Sequence, residues 1–300
     1  MVKIRIPATS ANIGSGFDAL GVALNLYNYV YMEEADDLHI TAGDGKDIPL
    51  DAENLVWKTA SHLYEVCGRS LKGLRLEQYS HIPFARGLGS SSACVIGGLL
   101  GANDMMGNPL TRDEIVDMAA VLEGHPDNST PALLGGLVTA VLDSGKVHYV
   151  RQEIPEELKF AVIIPDFELK TALARSVLPP TVEHMDARFN LARAALMAVS
   201  LYSGKYENLR TAAGDRLHQP YRLDLIPHGA EVMDMCCQNG AYAAYISGAG
   251  SSLMAIVNDA RFDFEQTMRA ALDKAGLQAW ALHMLAIDHK GAVLMHDEAQ

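Results

Sequence analysis

Much that would mark a common protein class is absent from this chain. Its longest uncharged apolar run, Ala93 to Asn103, is too short and too glycine-rich to span a bilayer. The N-terminus, Met-Val-Lys-Ile-Arg-Ile, starts like a strand and lacks the apolar segment of a signal peptide. Positive charge is scarce: 24 Lys and Arg stand against 37 Asp and Glu, for a net charge of −13. That balance argues against nucleic acid or an anionic membrane as the main partner, and any anion site must make its own local positive potential. The four cysteines, Cys67, Cys94, Cys236 and Cys237, form no Cys-x-x-Cys spacing and so neither a disulfide framework nor a zinc site. Buried thiols in a soluble, cytoplasmic protein are expected. Three familiar motifs are missing too: no Walker A loop, no Gly-x-Gly-x-x-Gly, and no Gly-x-Ser-x-Gly nucleophile elbow.

What is present is an ordinary globular composition, 49% apolar and 20% charged over 300 residues, enough for one large domain or two of ordinary size. Strands are predicted at Val2–Ile6, Leu26–Glu33 and Leu71–Ser80. Helical spacing marks Asn54–Cys67, and a helix over Ser90–Met106 follows a glycine–serine loop. Thr111 and Glu114 make a capping box that opens a helix through Leu122. A hairpin is expected around Asp143-Ser144-Gly145. A boundary falls in the charged stretch around Pro155, which divides the chain into residues 1–155 and 156–300. The second part reads as a buried strand at Phe160–Ile164, helices at Asp186–Tyr202 and Ala230–Asn239, strands at Tyr242–Ile246 and Leu253–Val257, a helix at Phe262–Ala275, and strands at Ala279–Ile287 and Ala292–His296. This order suggests an α+β two-layer sandwich.

Four segments carry chemistry. Residues 83–93 comprise Pro83, Phe84, Ala85, Arg86, Gly87, Leu88, Gly89, Ser90, Ser91, Ser92 and Ala93. A loop of this composition can aim several backbone N–H groups at one point, and the helix that follows adds its own unpaired donors and positive dipole end. Phosphate fits there. The plainer alternative is a tight strand-to-helix connection with Ser90 as the N-cap. Residues 7–18, from Pro7 to Asp18, are small and polar, and can bring Asn12 and Asp18 close to a small ligand or simply cap a turn. Residues 123–132 place Glu123, His125, Asp127 and Asn128 together at a helix end. Glu123 could hold Mg²⁺, which takes one or two carboxylates plus phosphate oxygens, while Asp127 or Asn128 could instead make an Asx-turn. Residues 247–252, Ser-Gly-Ala-Gly-Ser-Ser, join two apolar strands by a close backbone approach or a simple hairpin turn. Arg175 and Arg222 lie in segments of low local charge and can bind carboxylate or phosphate bidentately, or serve as surface residues.

In this order the segments resemble the GHMP kinase superfamily, and within it the homoserine kinases. Pro-x-x-x-Gly-Leu-Gly-Ser-Ser-Ser-Ala is similar to its phosphate loop and Ser-Gly-Ala-Gly-Ser-Ser to its C-terminal glycine motif. Thr9 to Asp18, Glu123 to Ala132, Thr171-x-x-x-Arg175 and Pro220-x-Arg222 also fit. The resemblance implies an α+β GHMP kinase fold of two α/β-sandwich domains with the active site in the cleft between them. Residues 1–155 would be the nucleotide-binding domain and 156–300 a ferredoxin-like domain. It implies ATP and Mg²⁺ as cofactors and phosphorylation of L-homoserine on the way to threonine. It places the nucleotide on Asn54 and residues 83–93, and the metal on Ser90 and Glu123. Asn12, Asp18, His125, Asn128, Thr171, Arg175 and Arg222 would bind substrate, with Asn128, Glu123 and Arg175 in catalytic roles. Homoserine is a zwitterion with a neutral hydroxyl, so it needs an anion, one or two cations and polar amides, and these residues supply that set. Asn128 stands where many superfamily relatives have an aspartate, and it cannot take a proton. Catalysis would then rest on positioning and charge neutralisation. A GHMP kinase acting on another small alcohol, a non-catalytic ligand sensor and a homodimer all stay open.

Overall fold

The computed structural model describes residues 1–260 and 263–295. In chain order the elements are β1 (Val2–Ala11), β2 (Leu20–Ala35), β3 (His39–Ala42), α1 (Leu55–Val66), β4 (Gly73–Ser80), α2 (Ser90–Met105), α3 (Arg112–Glu123), α4 (Ser129–Leu134), β5 (Leu137–Asp143) and β6 (Lys146–Gln152). They continue with β7 (Leu158–Ile164), α5 (Thr171–Ser176), α6 (His184–Ser203), α7 (Leu209–Ala212), α8 (Gln219–Leu223), α9 (Gly229–Gln238), β8 (Ala243–Ile246), β9 (Leu253–Asn258), α10 (Phe264–Lys274), β10 (Ala281–Leu285) and β11 (Val293–Met295). The predicted ends at Phe262 and His296 lie outside the described residues.

The first sheet runs β11-β1-β2-β4-β3, with β5 paired to β2 and β6 to β5. β1 is longer than its apolar start suggested. It continues through Pro7 because the register shifts between Pro7 and Ala8, where the missing N–H does no harm. The β5–β6 hairpin forms as expected, with Ser144 (φ 51°) and Gly145 (φ 81°) in the left-handed region as a two-residue turn requires. The Thr111–Glu114 capping box is present and Gly124 ends α3 in a left-handed conformation.

The second sheet has the order β10-β7-β9-β8, all antiparallel. Numbered within this sheet alone, that is 4-1-3-2, the arrangement of a ferredoxin-like unit, with α9 and α10 as its returning helices. β7 explains how the parts join. Phe160, Val162 and Ile164 enter the larger core with Ile4, Leu24 and Met197, whereas Ala161 and Ile163 enter a second core with Val232, Phe264 and Met268. Alternate residues face opposite layers, so an unbroken apolar run is what this strand needs. β11 returns from the C-terminus to pair with β1, tying the ends of the chain into one sheet. α2 is buried nearly all round beneath the first sheet, and its N-terminus opens on a cleft between the two sheets' connecting loops.

Candidate active site

A cavity of about 440 Å³ occupies that cleft, within the usual range for a small-molecule site. Its wall includes Asn12, Asp18, Pro83, residues 85–92, Glu123, His125, Asn128, Thr171, Arg175 and Arg222. Residues far apart in sequence thus converge.

The loop at 83–93 is fastened from both sides. Leu88 O accepts from Thr9 N, Arg86 O from Ser252 N, and Gly87 O from the Ser247 hydroxyl at 2.7 Å. The glycine-rich segment 247–252 is therefore a strap over the loop, which a simple hairpin turn would not be. A Cβ on Gly87 would lie 2.1 Å from Ser247 O, so only glycine permits this approach. Gly89, not Ser90, is the N-cap of α2, in a left-handed conformation (φ 72°). Ser90 is released from capping: its hydroxyl is buried and has no hydrogen-bond partner. Phe84 and Ala93 do not line the cavity; they pack into the core and anchor the loop.

Asn54 is also placed away from the cavity. Its Oδ1 accepts from Val56 N and Trp57 N as the cap of α1, and its Nδ2 donates to Pro49 O and Gln78 Oε1. With both ends of the amide used, the α1 residues that reach the cavity are Leu55, Lys58, Thr59 and His62.

Glu123 is the last residue of α3 and half-buried. Ser92 Oγ lies 2.8 and 2.6 Å from its two carboxylate oxygens. Burial pushes its pKa up to about 7, against the opposing pull of the Ser92 hydroxyl and of His125. A carboxylate costly to ionise alone and an unpartnered buried hydroxyl are a donor set that suits a hard cation such as Mg²⁺.

The opposite end of the cavity is built from charges. Arg175 makes two contacts to Asp18, at 2.9 and 3.3 Å. Both side chains are over a third exposed, so the pair is worth at most about 1 kcal/mol and can be exchanged for other partners. Arg222 is different. It is 1% exposed, donates to Ala174 O and Gly248 O, and among the described residues has no recorded carboxylate partner. Burial, then repulsion from Arg175, lowers its pKa to about 10, which leaves it charged at neutral pH. Asp18, Asp127 and Asp215 offset its charge from longer range, and a buried cation with no carboxylate in contact is poised for an anionic ligand. Asp127, which the sequence left open between a polar cluster and an Asx-turn, is buried and lines the cavity, where it bonds His125 Nδ1 at 2.7 Å. Burial opposes protonation of His125, but the Asp127 bond and charge outweigh it and raise its pKa. Asp18, His125 and Asp127 present ligand atoms within 4.8 Å of one another.

The two asparagines differ. Asn12 uses both ends of its amide, accepting from Asp18 N at 3.0 Å and donating to Gly248 O at 2.7 Å, and so braces the loop carrying Asp18. Asn128 Oδ1 accepts from the Thr9 hydroxyl, which leaves its amide N–H groups for the cavity.

A phosphate-type loop at a helix N-terminus, facing a charged pocket across the cleft of two α+β units, defines a small-molecule kinase of the GHMP class. The family model for the GHMP kinases N-terminal domain matches residues 54–136, and that for the GHMP kinases C-terminal domain matches 197–274. The chain is 46% identical over 297 residues to the homoserine kinase of Caldicellulosiruptor saccharolyticus, covering 98% of this chain and 96% of that one. It is 42% identical to that of Clostridium beijerinckii, covering 98% and 99%. The crystal structure of homoserine kinase from Cytophaga hutchinsonii superposes with a TM-score of 0.86 at 27% identity, covering 98% and 97%. The chain belongs to the homoserine kinase family of GHMP kinases. Among the described residues no helix is long and apolar enough to cross a membrane.

Proposed function

We propose that this chain transfers the γ-phosphoryl group of ATP to the hydroxyl of L-homoserine, giving O-phospho-L-homoserine and ADP. The observation that carries the reading is the pairing, in one cavity, of a buried arginine that makes no ion pair among the described residues (Arg222) and a second arginine with two carboxylates, Asp18 and Asp127. A zwitterionic amino acid matches that pattern and a neutral sugar does not. The substrate's carboxylate goes to Arg222 and Arg175, and its ammonium to Asp18 and Asp127. The weak Asp18–Arg175 pair opens as each partner gains a stronger one. His125 holds Asp127 toward the cavity, and Thr171, on the rim, closes the acceptor end.

The triphosphate lies on the backbone donors of residues 85–92 and the first turn of α2, with the base toward Leu55, Thr59 and His62. Ser90 and Glu123 would hold Mg²⁺, whose charge offsets that of the phosphate oxygens when it is bound. Asn128, oriented by Thr9, directs the acceptor hydroxyl. Asn128 cannot take the proton, so it passes to the γ-phosphate or solvent, and the rate comes from alignment and charge neutralisation. A cytoplasmic setting on a route to threonine belongs to the same proposal, as does the division near residue 155 into a nucleotide-binding and a ferredoxin-like unit.

The test is ADP release by the purified protein with L-homoserine, mevalonate and galactose at equal concentration. Homoserine should be turned over at least about a hundredfold more efficiently. Faster turnover of another alcohol would reassign the substrate, and no ADP in a single turnover with any of them would make the protein a sensor.

A further inference from the structure

Arg222, which faces the cavity and makes no ion pair among the described residues, is itself held by groups to which the sequence assigned no role. His218 lies one helical turn before Arg222 and is fully buried. Its Nδ1 is 3.1 Å from Arg222 Nη1, and its Nε2 is 2.7 Å from the carbonyl oxygen of Gly14. A guanidinium only donates and a carbonyl only accepts. Both contacts are satisfied by a single state of the ring: neutral, with the proton on Nε2. Nδ1 then accepts from Arg222 while Nε2–H donates to Gly14. The other tautomer would set N–H against N–H and lone pair against lone pair. The imidazolium would set a cation against a buried cation.

The surroundings agree. Burial lowers the His218 pKa and Arg222 adds to that, outweighing Asp215, the Gly14 carbonyl and Asp18, which pull the other way. Asp215 accepts from Leu217 N, His218 N and Gln219 N and from the Asn190 amide, and so fixes the turn from which the ring projects; its Oδ2 lies 3.7 Å from His218 Nε2, beyond hydrogen-bond distance. On its face, His218 stacks on Phe17, with ring centroids 5.1 Å apart and an interplanar angle of 18°. The same Phe17 ring carries the guanidinium of Arg222 at 5.2 Å and that of Arg175 at 5.9 Å. Phe17 is therefore a common plate under both arginines. Arg222 Nη1 also donates to Gly248 O, within the strap that holds the phosphate loop, so its position is set relative to the nucleotide as well.

We propose that His218, as the neutral Nε2–H tautomer, and Phe17, on which it stacks, are positioning residues that hold the Arg222 guanidinium in place for the carboxylate of the acceptor substrate. This rests on the assignment of that carboxylate to Arg222. A residue that only filled the core would leave substrate selectivity alone.

Two variants and one spectrum test it. His218→Phe keeps a stacking ring and removes the acceptor; His218→Asn returns an oxygen near the Nδ1 position. His218→Phe should raise the KM for L-homoserine about tenfold or more, with kcat and the KM for ATP within about threefold of wild type, and His218→Asn should recover most of the loss. A homoserine KM within about twofold of wild type in a folded His218→Phe protein, or an equal rise in the KM for ATP, overturns the proposal. If that variant does not fold, long-range ¹H–¹⁵N spectra of the wild type decide. The neutral Nε2–H form of His218 at neutral pH is expected, and the Nδ1–H tautomer or an imidazolium overturns it. Failure of the wild type to phosphorylate homoserine would sink the substrate reading instead, and the spectrum would still report on His218 alone.

Discussion

At the end of the cavity proposed for the triphosphate, the donors are backbone N–H groups, hydroxyls and the Arg86 side chain of one continuous stretch, residues 85–92. At the acceptor end they are charged side chains from four stretches: Asp18, then His125 and Asp127, then Arg175, then Arg222. The first end is held in shape through its main-chain carbonyls, which accept from Thr9 N, Ser252 N and the Ser247 hydroxyl. The second is held by side chains acting on side chains: Thr9 on Asn128, His125 on Asp127, His218 and Phe17 on Arg222. Backbone donors at a helix N-terminus suit any phosphate chain. On the proposed reading, specificity for the alcohol resides in the charged end, which can change without touching the loop.

Several substitutions would break or sharpen that division. The largest effect is expected from Arg222→Met, which should lower kcat/KM for L-homoserine about a thousandfold while the KM for ATP moves less than about threefold. Steady-state kinetics varied in each substrate checks it, and equal losses for both would erase the distinction between the ends. Glu123→Gln should cut kcat about a hundredfold. It should also act on stability in the opposite direction. Glu123's folded-state pKa is raised to about 7, so folding favours its protonated form. That contribution is complete below the ordinary carboxylate range and is lost as pH rises through about 7. A neutral Gln therefore stabilises the protein, free of nucleotide and metal, by about 1–3 kcal/mol near pH 8 and by little near pH 4. Thermal melts at the two pH values would show it, and an unchanged melting temperature near pH 8 would mean Glu123 ionises freely.

Smaller effects are expected at the loop. Gly87→Ala puts a Cβ 2.1 Å from Ser247 O at a φ of +71°. The KM for ATP should rise about tenfold with homoserine binding nearly unchanged. Calorimetric titration of each ligand separates the two. Ser92→Ala is the mildest. It removes a hydroxyl that lowers the Glu123 pKa, so the acid limb of the kcat–pH profile should move up by about half a unit. A shift in the other direction would assign that limb elsewhere.

How much of this was legible in sequence follows the same contrast. The loop is contiguous, so its glycines, serines and following helix announced an anion site directly. The capping box and the Ser144-Gly145 turn were equally local, and both formed. β3, α4, α5, α7 and α8 carry too few residues for a periodic signal, and two of them, α5 with Thr171 and Arg175 and α8 with Arg222, present side chains to the cavity. Asp127 could be read in the sequence either with the Glu123–Asn128 cluster or as an Asx-turn, and only the fold shows it buried beside His125 and close to Asp18. Asn54 is the opposite case: a short motif suggested a ligand contact, while its amide oxygen caps α1 and its nitrogen donates to Pro49 O and Gln78 Oε1. Nothing near His218 or Phe17 in sequence signals that they meet over Arg222, since that contact joins positions 201 residues apart (218 − 17).

The division between the two ends is tested most directly by comparing L-homoserine with 3-amino-1-propanol, which keeps the ammonium and the hydroxyl and lacks the carboxylate. With ATP saturating, kcat/KM should be at least about a thousandfold higher for homoserine, reflecting one carboxylate held by Arg222 and Arg175. A difference of less than about tenfold would contradict the placement of specificity in those arginines.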